Sequence, residues 1–379
     1  MEIKNLKKTA NRILKAIELK EKIILFGDSD LDGATSVIVL KETIENLGGE
    51  VTAVYFPDRE EGYGINTKAL SNLKKYAPAL FISMDCGISN FKETEEANKL
   101  GFEVIVIDHH EILDKVPAAS IVVDPKQEGD DYPFKVFANI GIIYRLSKVL
   151  LGDKMSENLK RNFLELTAMA TIADMMPLID ENKKMVEEGL GYLETSWRPG
   201  IQALFGLENF KSLPLFERVC KLNSLLNIRD FKNNLPVPYR LLICSNIKEA
   251  EKLTNELVKE NIKKRAMIGG IIEEVRSRIA ENPFSSIVFE GDPNWDLILL
   301  GIVASTIVRE ERKPVFLFKK SETESKGSVR SPHDLNVVNA MKNCSKNLIT
   351  FGGHPVAAGF NVKNEHLEEF KKCLNNYFS

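Results

Sequence analysis

Short apolar runs alternate with amphipathic stretches along the first half of the chain. Ile23-Ile-Leu25 is one run, Val51-Thr-Ala-Val-Tyr-Phe56 a second, Ala79-Leu-Phe-Ile-Ser-Met84 a third and Gly101-Phe-Glu-Val-Ile-Val-Ile107 a fourth. Their length and content suit buried strands. Between the first two, residues 34–44 have the spacing of a helix packed on a sheet. Ahead of them, Ile3, Leu6, Ala10, Ile13, Leu14 and Ile17 share one helical face opposite lysines. The order strand, polar turn, helix, strand predicts a parallel sheet with right-handed crossovers and helices on both faces. Ile121-Val-Val-Asp-Pro125 reads as a further strand, and residues 139–152 and 156–173 as helices.

The pattern weakens over residues 185–240, where Trp197-Arg-Pro-Gly200 and Asn233-Asn-Leu-Pro-Val-Pro238 mark breaks. A domain boundary is expected within 190–235. Asn246-Ile-Lys-Glu249 has a capping-box form and opens a long helical stretch reaching residue 280, with Gly269-Gly270 a candidate interruption. Residues 285–289, 297–300 and 315–318 read as strands of a second, smaller α/β domain, and residues 301–308 as a helix entered through glycine. The expected division is a domain over 1–190, an interdomain region over 191–245 and a second domain over 246–379 that includes the long helix.

Composition changes this picture little. A chain of 379 residues is long enough for two cores, and a net charge of −3 neither suggests nor excludes a polyanionic partner. Its five cysteines (Cys86, Cys220, Cys244, Cys344, Cys373) are scattered without a CxxC pair. That pattern suits reduced thiols, not a disulfide framework or a zinc site. With no apolar run long enough to span a bilayer, a cytoplasmic protein without a membrane partner is expected.

The chemistry gathers where strands end. The first strand runs into Phe26-Gly-Asp-Ser-Asp-Leu-Asp-Gly33, the third into Asp85 and the fourth into Asp108-His109-His110. A helix end supplies Asp174, where the local helix dipole disfavours an anion. The stretch with Asp28, Asp30 and Asp32 reads either as a metal site or as a polar turn, since aspartate and glycine are common turn residues. Together the carboxylates and imidazoles suit Mn²⁺ better than Ca²⁺, and they exceed the needs of one ion. Two bridged ions are the arrangement suited to phosphoester hydrolysis. The loop at residues 57–64 carries Arg59 and Tyr63, which would suit an anion or a base. Residues 309–330 hold seven basic groups against four acidic ones, either a modest phosphate-binding excess or a solvated face. Gly352-Gly353-His354 reads as a tight turn or as an anion-binding backbone with a side-chain donor.

Asp30-x-Asp32-Gly33, Asp85, Asp108-His109-His110 and Asp174, in this order, resemble the motifs of the DHH phosphoesterase superfamily. The text of residues 27–36, Glu61-Gly-Tyr-Gly64, Tyr132-Pro-Phe-Lys135 and Ala170-Thr-Ile-Ala-Asp174 resembles its RecJ branch, with chain length nearer the archaeal RecJ-like type. Gly301-Ile-Val-Ala-Ser305 and residues 351–360 resemble the accompanying DHHA1 domain. The resemblance implies a parallel-sheet DHH domain joined by a long helix to a smaller α/β DHHA1 domain. It also implies a two-ion, Mn²⁺- or Mg²⁺-dependent exonuclease acting on single-stranded DNA or RNA in an interdomain cleft. Asp28, Asp30 and Asp85 would hold one metal, and Asp32, Asp85, His109 and Asp174 the other. His110 would contact the scissile phosphate, with Asp108 orienting the histidines. Arg330, Ser331, Gly352, Gly353 and His354 would grip the nucleotide. The chain departs from the family in the segment Leu222-Asn-Ser-Leu-Leu-Asn227 and in offering Asp296 where a histidine is usual. The same plan serves oligoribonucleases and cyclic-dinucleotide phosphodiesterases. It also serves replication scaffolds, and some archaeal relatives associate with GINS, a replisome component.

Overall fold

The structure is a computed structural model and describes residues 2–58, 60–112, 115–226, 231–281 and 285–379. It divides into two compact units, Met1–Glu260 and Asn261–Ser379.

The first unit begins with α1 (Leu6–Glu18), followed by β1 (Ile23–Gly27), α2 (Leu31–Asn46), β2 (Ala53–Tyr55), α3 (Thr67–Leu73), β3 (Ala79–Met84), α4 (Phe91–Lys99), β4 (Phe102–Ile107) and β5 (Ile121–Val123). The five strands pair in parallel in the order β2-β1-β3-β4-β5. Alternate side chains feed two separate cores. Ile23, Leu25, Leu80, Ile82, Ile105 and Ile107 face one, shared with α1 and α2. Ile24, Phe26, Phe81, Val104 and Val106 face the other, shared with α3 and α4. Burial on both faces explains why the strands read as continuous apolar runs. Because β1 is followed in space by β2 on one side and β3 on the other, the chain reverses direction across the sheet at β1/β3. That reversal opens a crevice at the strands' carboxyl ends, the usual ligand position in such sheets.

Helices complete the unit: α5 (Asn139–Leu151), α6 (Glu157–Ala173), α7 (Asp180–Leu193), α8 (Pro199–Phe205) and α9 (Leu215–Leu226), then the small hairpin β6 (Phe231–Lys232) and β7 (Leu235–Pro236), and α10 (Val237–Leu242). α11 (Ile247–Glu281) runs without a break through Gly269 and Gly270, which therefore do not interrupt it. Two glycines weaken a helix by about 1 kcal/mol each, a loss its 35 residues absorb because Leu257 and Val275 are anchored in buried cores.

The second unit contains β8 (Val288–Asp292), α12 (Leu297–Glu311), β9 (Val315–Lys320), β10 (Glu324–Arg330), α13 (Val337–Asn343), β11 (Thr350–His354), β12 (Ala357–Lys363) and α14 (Leu367–Phe378). Its sheet has the order β11-β12-β10-β9-β8, parallel only at β8/β9. The strand expected at residues 297–300 is instead the first turn of α12. Asp296, not Gly301, opens that helix, accepting a hydrogen bond from Ile298 N at 3.0 Å. A continuous apolar run behind an N-cap residue is ambiguous in periodicity, and here the cap decides it. The cysteines need a second correction: Cys344 and Cys373 form a disulfide, their Cα atoms 5.9 Å apart. They sit where α13 ends and within α14, a proximity their spacing in the sequence does not reveal. No helix among the described residues is long and apolar enough to cross a membrane.

Candidate metal centre

β1 ends at Gly27, and the next residues turn directly into α2. Asp30 is the N-cap of α2, its Oδ1 accepting from Gly33 N at 3.0 Å. Gly33 is required by a close approach, since a Cβ there would lie 2.3 Å from Asp28 O. This packing presents Asp28, Asp30 and Asp32 together. At the end of β3, Asp85 takes a left-handed backbone conformation with φ 61°, a strained state for a non-glycine residue. Asp28, Asp30 and Asp85 offer ligand atoms that all lie within 4.8 Å of one another, as do those of Asp32, His109 and Asp174 and those of Asp85, His109 and His110.

His109 is the hinge of this arrangement. Its Nδ1 lies 2.8 Å from Phe137 O, an acceptor-only partner, so Nδ1 carries the proton and Nε2 presents a lone pair. That lone pair faces Asp85 Oδ1 at 3.2 Å, Asp174 Oδ2 at 3.7 Å and Asp32 Oδ2 at 3.9 Å. Both His109 Nε2 and Asp174 Oδ2 are buried without a hydrogen-bond partner. Acceptors converging on an acceptor repel, and a cation placed among them turns that repulsion into coordination. The donor set therefore fits a divalent ion of the Mn²⁺ or Mg²⁺ class.

The electrostatics point the same way. Burial, reinforced by Asp30 and Asp174, pushes the Asp32 carboxyl well above its ordinary range, against the pull of two backbone N–H groups. Burial and the charges of Asp32, Asp30, Asp108 and Asp28 do the same to Asp85. Asp174 is raised to about 6 by burial and Asp30. Burial and neighbouring His110 lower His109 to about 4, keeping it neutral.

Asp108 has a different task. Its Oδ1 accepts from His109 N at 2.8 Å, from His110 N at 3.2 Å and from the His110 ring Nδ1 at 2.7 Å, while Oδ2 accepts from Ile88 N at 3.0 Å. Burial works to raise its pKa, but His110 and the Ile88 N–H outweigh that and hold it below the usual value. The Asp108 hydrogen bond correspondingly raises His110, whose side chain is 46% exposed. Asp108 thus aims the His110 ring, while the Phe137 carbonyl aims that of His109. Tyr63 joins them: its hydroxyl donates to Asp85 O at 3.0 Å and its ring meets His110 edge-on at 5.9 Å between centroids. Arg59 lies outside the described residues.

Three contributions escaped the sequence reading. The N-cap of α5, Ala138, has no side-chain acceptor, and Asp32 fills that role from 107 residues away. Asn139 N donates to Asp32 Oδ2 at 2.6 Å and Ile140 N to Asp32 Oδ1 at 2.8 Å. The second is the Phe137 carbonyl. The third is Asp124, after β5: it is fully buried, its Oδ2 lacks a partner, and burial lifts its pKa to about 7.

The remaining expected residues belong to the second unit. Arg330 closes β10 opposite Ala357, and His354 on β11 is also opposite Ala357, which places both at one end of that sheet. A Cβ on Gly301 would fall 2.9 Å from Arg330 Nη2, so this glycine makes room for the guanidinium. Ser331 is buried, with its Oγ unpartnered. Gly352, Gly353 and His354 form an edge strand, not the turn expected, because β12 pairs along all three. Gly353 has φ 140°, and a Cβ there would lie 2.5 Å from Ala357 O.

With this geometry in place, comparison with known proteins is informative. The DHH family, N-terminal domain, matches residues 22–171, and the DHHA1 domain matches residues 284–379. The single-stranded-DNA-specific exonuclease RecJ of Bacillus subtilis (strain 168) is 33% identical over 384 residues, covering 99% of this chain and 48% of that protein. The RecJ of Salmonella typhimurium is 30% identical, covering 93% of this chain and 65% of that one. The chain thus spans about half to two thirds of the length of these curated relatives. A solved structure of exonuclease RecJ bound to manganese matches with a TM-score of 0.84 at 28% identity, covering 100% of this chain and 95% of that one. On these matches, with its ordered aspartates and paired histidines, the chain carries a DHH family N-terminal domain followed by a DHHA1 domain.

Proposed function

We propose that this chain is a divalent-metal-dependent exonuclease that hydrolyses phosphodiester bonds of single-stranded nucleic acid. The observation that carries the reading is the His109 lone pair facing three carboxylates, an arrangement suited to a cation. The relatives support the substrate class: they are named single-stranded-DNA-specific exonucleases, and solved RecJ structures contain Mn²⁺ or Mg²⁺.

In this reading Asp28, Asp30 and Asp85 would hold one ion and Asp32, Asp85, His109 and Asp174 a second. Bound divalent ions supply Lewis acidity and offset the charge on the phosphodiester. The chain's own groups do the rest. Neutral His109 keeps its donor atom available because Phe137 O holds its proton on the other nitrogen. The α5 N-terminus fixes both oxygens of Asp32, so that carboxylate meets its ligand without reorganising. His110, kept protonated more readily by the bond from its Nδ1 to Asp108, would meet a non-bridging phosphate oxygen through Nε2 and can release a proton to the leaving alkoxide. In the second unit, Arg330, Ser331 and the Gly352–His354 strand would supply donors to a phosphate. Association with GINS or another replisome component is a separate proposal resting on the resemblance alone, and a pull-down with purified GINS tests it.

The decisive experiment incubates end-labelled DNA and RNA strands of several lengths with Mn²⁺, comparing wild type with Asp85→Ala. Stepwise shortening by wild type only is the expected outcome. Absence of metal-dependent cleavage at every length refutes the proposal, and cleavage confined to the shortest oligomers refutes its exonuclease form.

A further inference from the structure

α6 ends at Ala173, and its C-cap Asp174 leads into a left-handed turn. Met175 N donates to Ile172 O at 3.2 Å and Met176 N to Thr171 O at 3.2 Å, with Met175 itself at φ 56°. In this Schellman arrangement the left-handed position ordinarily belongs to glycine, because a Cβ there crowds the following carbonyl. Here it is a methionine whose residue surface is 88% exposed. Neither the backbone nor the core rewards that choice: the turn would form more easily with glycine, and the thioether covers little of the fold. Sequences that break a local rule without a folding gain do so characteristically at functional positions. This position adjoins one. Consecutive Cα atoms lie about 3.8 Å apart, and the neighbouring carboxylate reaches to 3.7 Å from His109 Nε2.

The surroundings extend the feature. Leu178 and Ile179, just beyond, are exposed as well. An uncharged, exposed apolar stretch thus follows Asp174 along the chain.

We propose that Met175 is a base-contacting residue of the strand-binding surface, its thioether lying against a nucleobase next to the scissile phosphate. This rests on reading the metal centre as that of a single-strand nuclease. A single strand brings two chemistries to such a site. The phosphate answers to the ions and His110, whereas the unstacked bases expose flat apolar faces that need an uncharged partner. A flexible, polarizable thioether suits the face of any base, so it grips without selecting sequence. A double helix, whose bases are already stacked, gains nothing from it.

Two variants and two strands test the inference. Met175→Gly keeps the turn and removes the thioether, and Met175→Leu keeps apolar bulk. Each is assayed with Mn²⁺ on a short single strand and on the same strand carrying abasic sugars at the terminal positions of both ends. Wild type should prefer the natural strand in kcat/KM. Met175→Gly should shrink that preference by about two- to thirteenfold, the range of a sulfur–aromatic contact, and Met175→Leu should restore most of it. The melting temperature of Met175→Gly should rise, since the left-handed position is relieved, so a loss of grip is not a loss of fold. If Met175→Gly retains the full preference, or loses activity equally on both strands, the inference is wrong. If wild type cleaves neither strand, the reading of the metal centre fails and this inference fails with it, an outcome distinct from an active wild type with an indifferent variant.

Discussion

Asp124 offers a sharp test of the electrostatic reasoning because it is buried, acidic and absent from every candidate ligand group. Its Oδ1 accepts from Lys126 N at 2.8 Å, while Oδ2 has no partner. Burial lifts its pKa from 3.8 to about 7, opposed by the Lys126 N–H and aided by Asp108. A carboxyl raised on folding contributes stability that is fully present below its unfolded pKa and is lost as pH climbs through the folded value. A shift of about 3 units, at about 1.4 kcal/mol each, corresponds to about 4 kcal/mol once the group is fully ionised. Integrated only between about pH 5 and about pH 8.5, the loss is about 2.5 kcal/mol. Asp124→Asn does not titrate, and it keeps the acceptor for Lys126 N. Urea unfolding of both proteins in EDTA should therefore show the variant gaining on wild type by about that amount across the interval. A stability difference that stays flat with pH, or that moves in wild type's favour as pH rises, would refute the reasoning.

Two further outcomes follow from the same geometry. Gly33→Ala places a Cβ 2.3 Å from Asp28 O, so it should destabilise by about 1–3 kcal/mol in thermal melts. Because the displaced backbone carries a candidate ligand, Mn²⁺-dependent cleavage should fall further than the stability loss alone accounts for. Adding Mn²⁺ to EDTA-stripped protein at about 100 times its dissociation constant should stabilise by about 2.7 kcal/mol, a rise of about 5–10 °C in melting temperature. Scanning calorimetry checks this, and Asp85→Ala should lose most of the rise.

What the sequence disclosed and what it hid divide along a physical line. Strand-end aspartates are visible because a buried parallel strand is a continuous apolar run, and whatever follows it lies at the sheet's carboxyl edge. Asp28, Asp30, Asp32, Asp85 and Asp108 are legible on that ground, and so is the class of ion. Leu297 to Leu300 misled because a short apolar run has no period of its own, and only the Asp296 cap separates helix from strand. Cys344 and Cys373 misled because pairing depends on how α13 and α14 meet, not on spacing. The deepest concealment concerns the metal centre itself. Asp32 is met by the N–H groups of Asn139 and Ile140, and His109 by the carbonyl of Phe137. Every residue carries such groups, so no residue type marks them, and only the packing of α5 against the sheet brings them into use. Side chains identify which atoms can bind a cation, but their protonation and aim are set by backbone dipoles that no motif records. That is why the candidate ligand types could be read in order along the chain, while the reason His109 presents Nε2 and not Nδ1 could not.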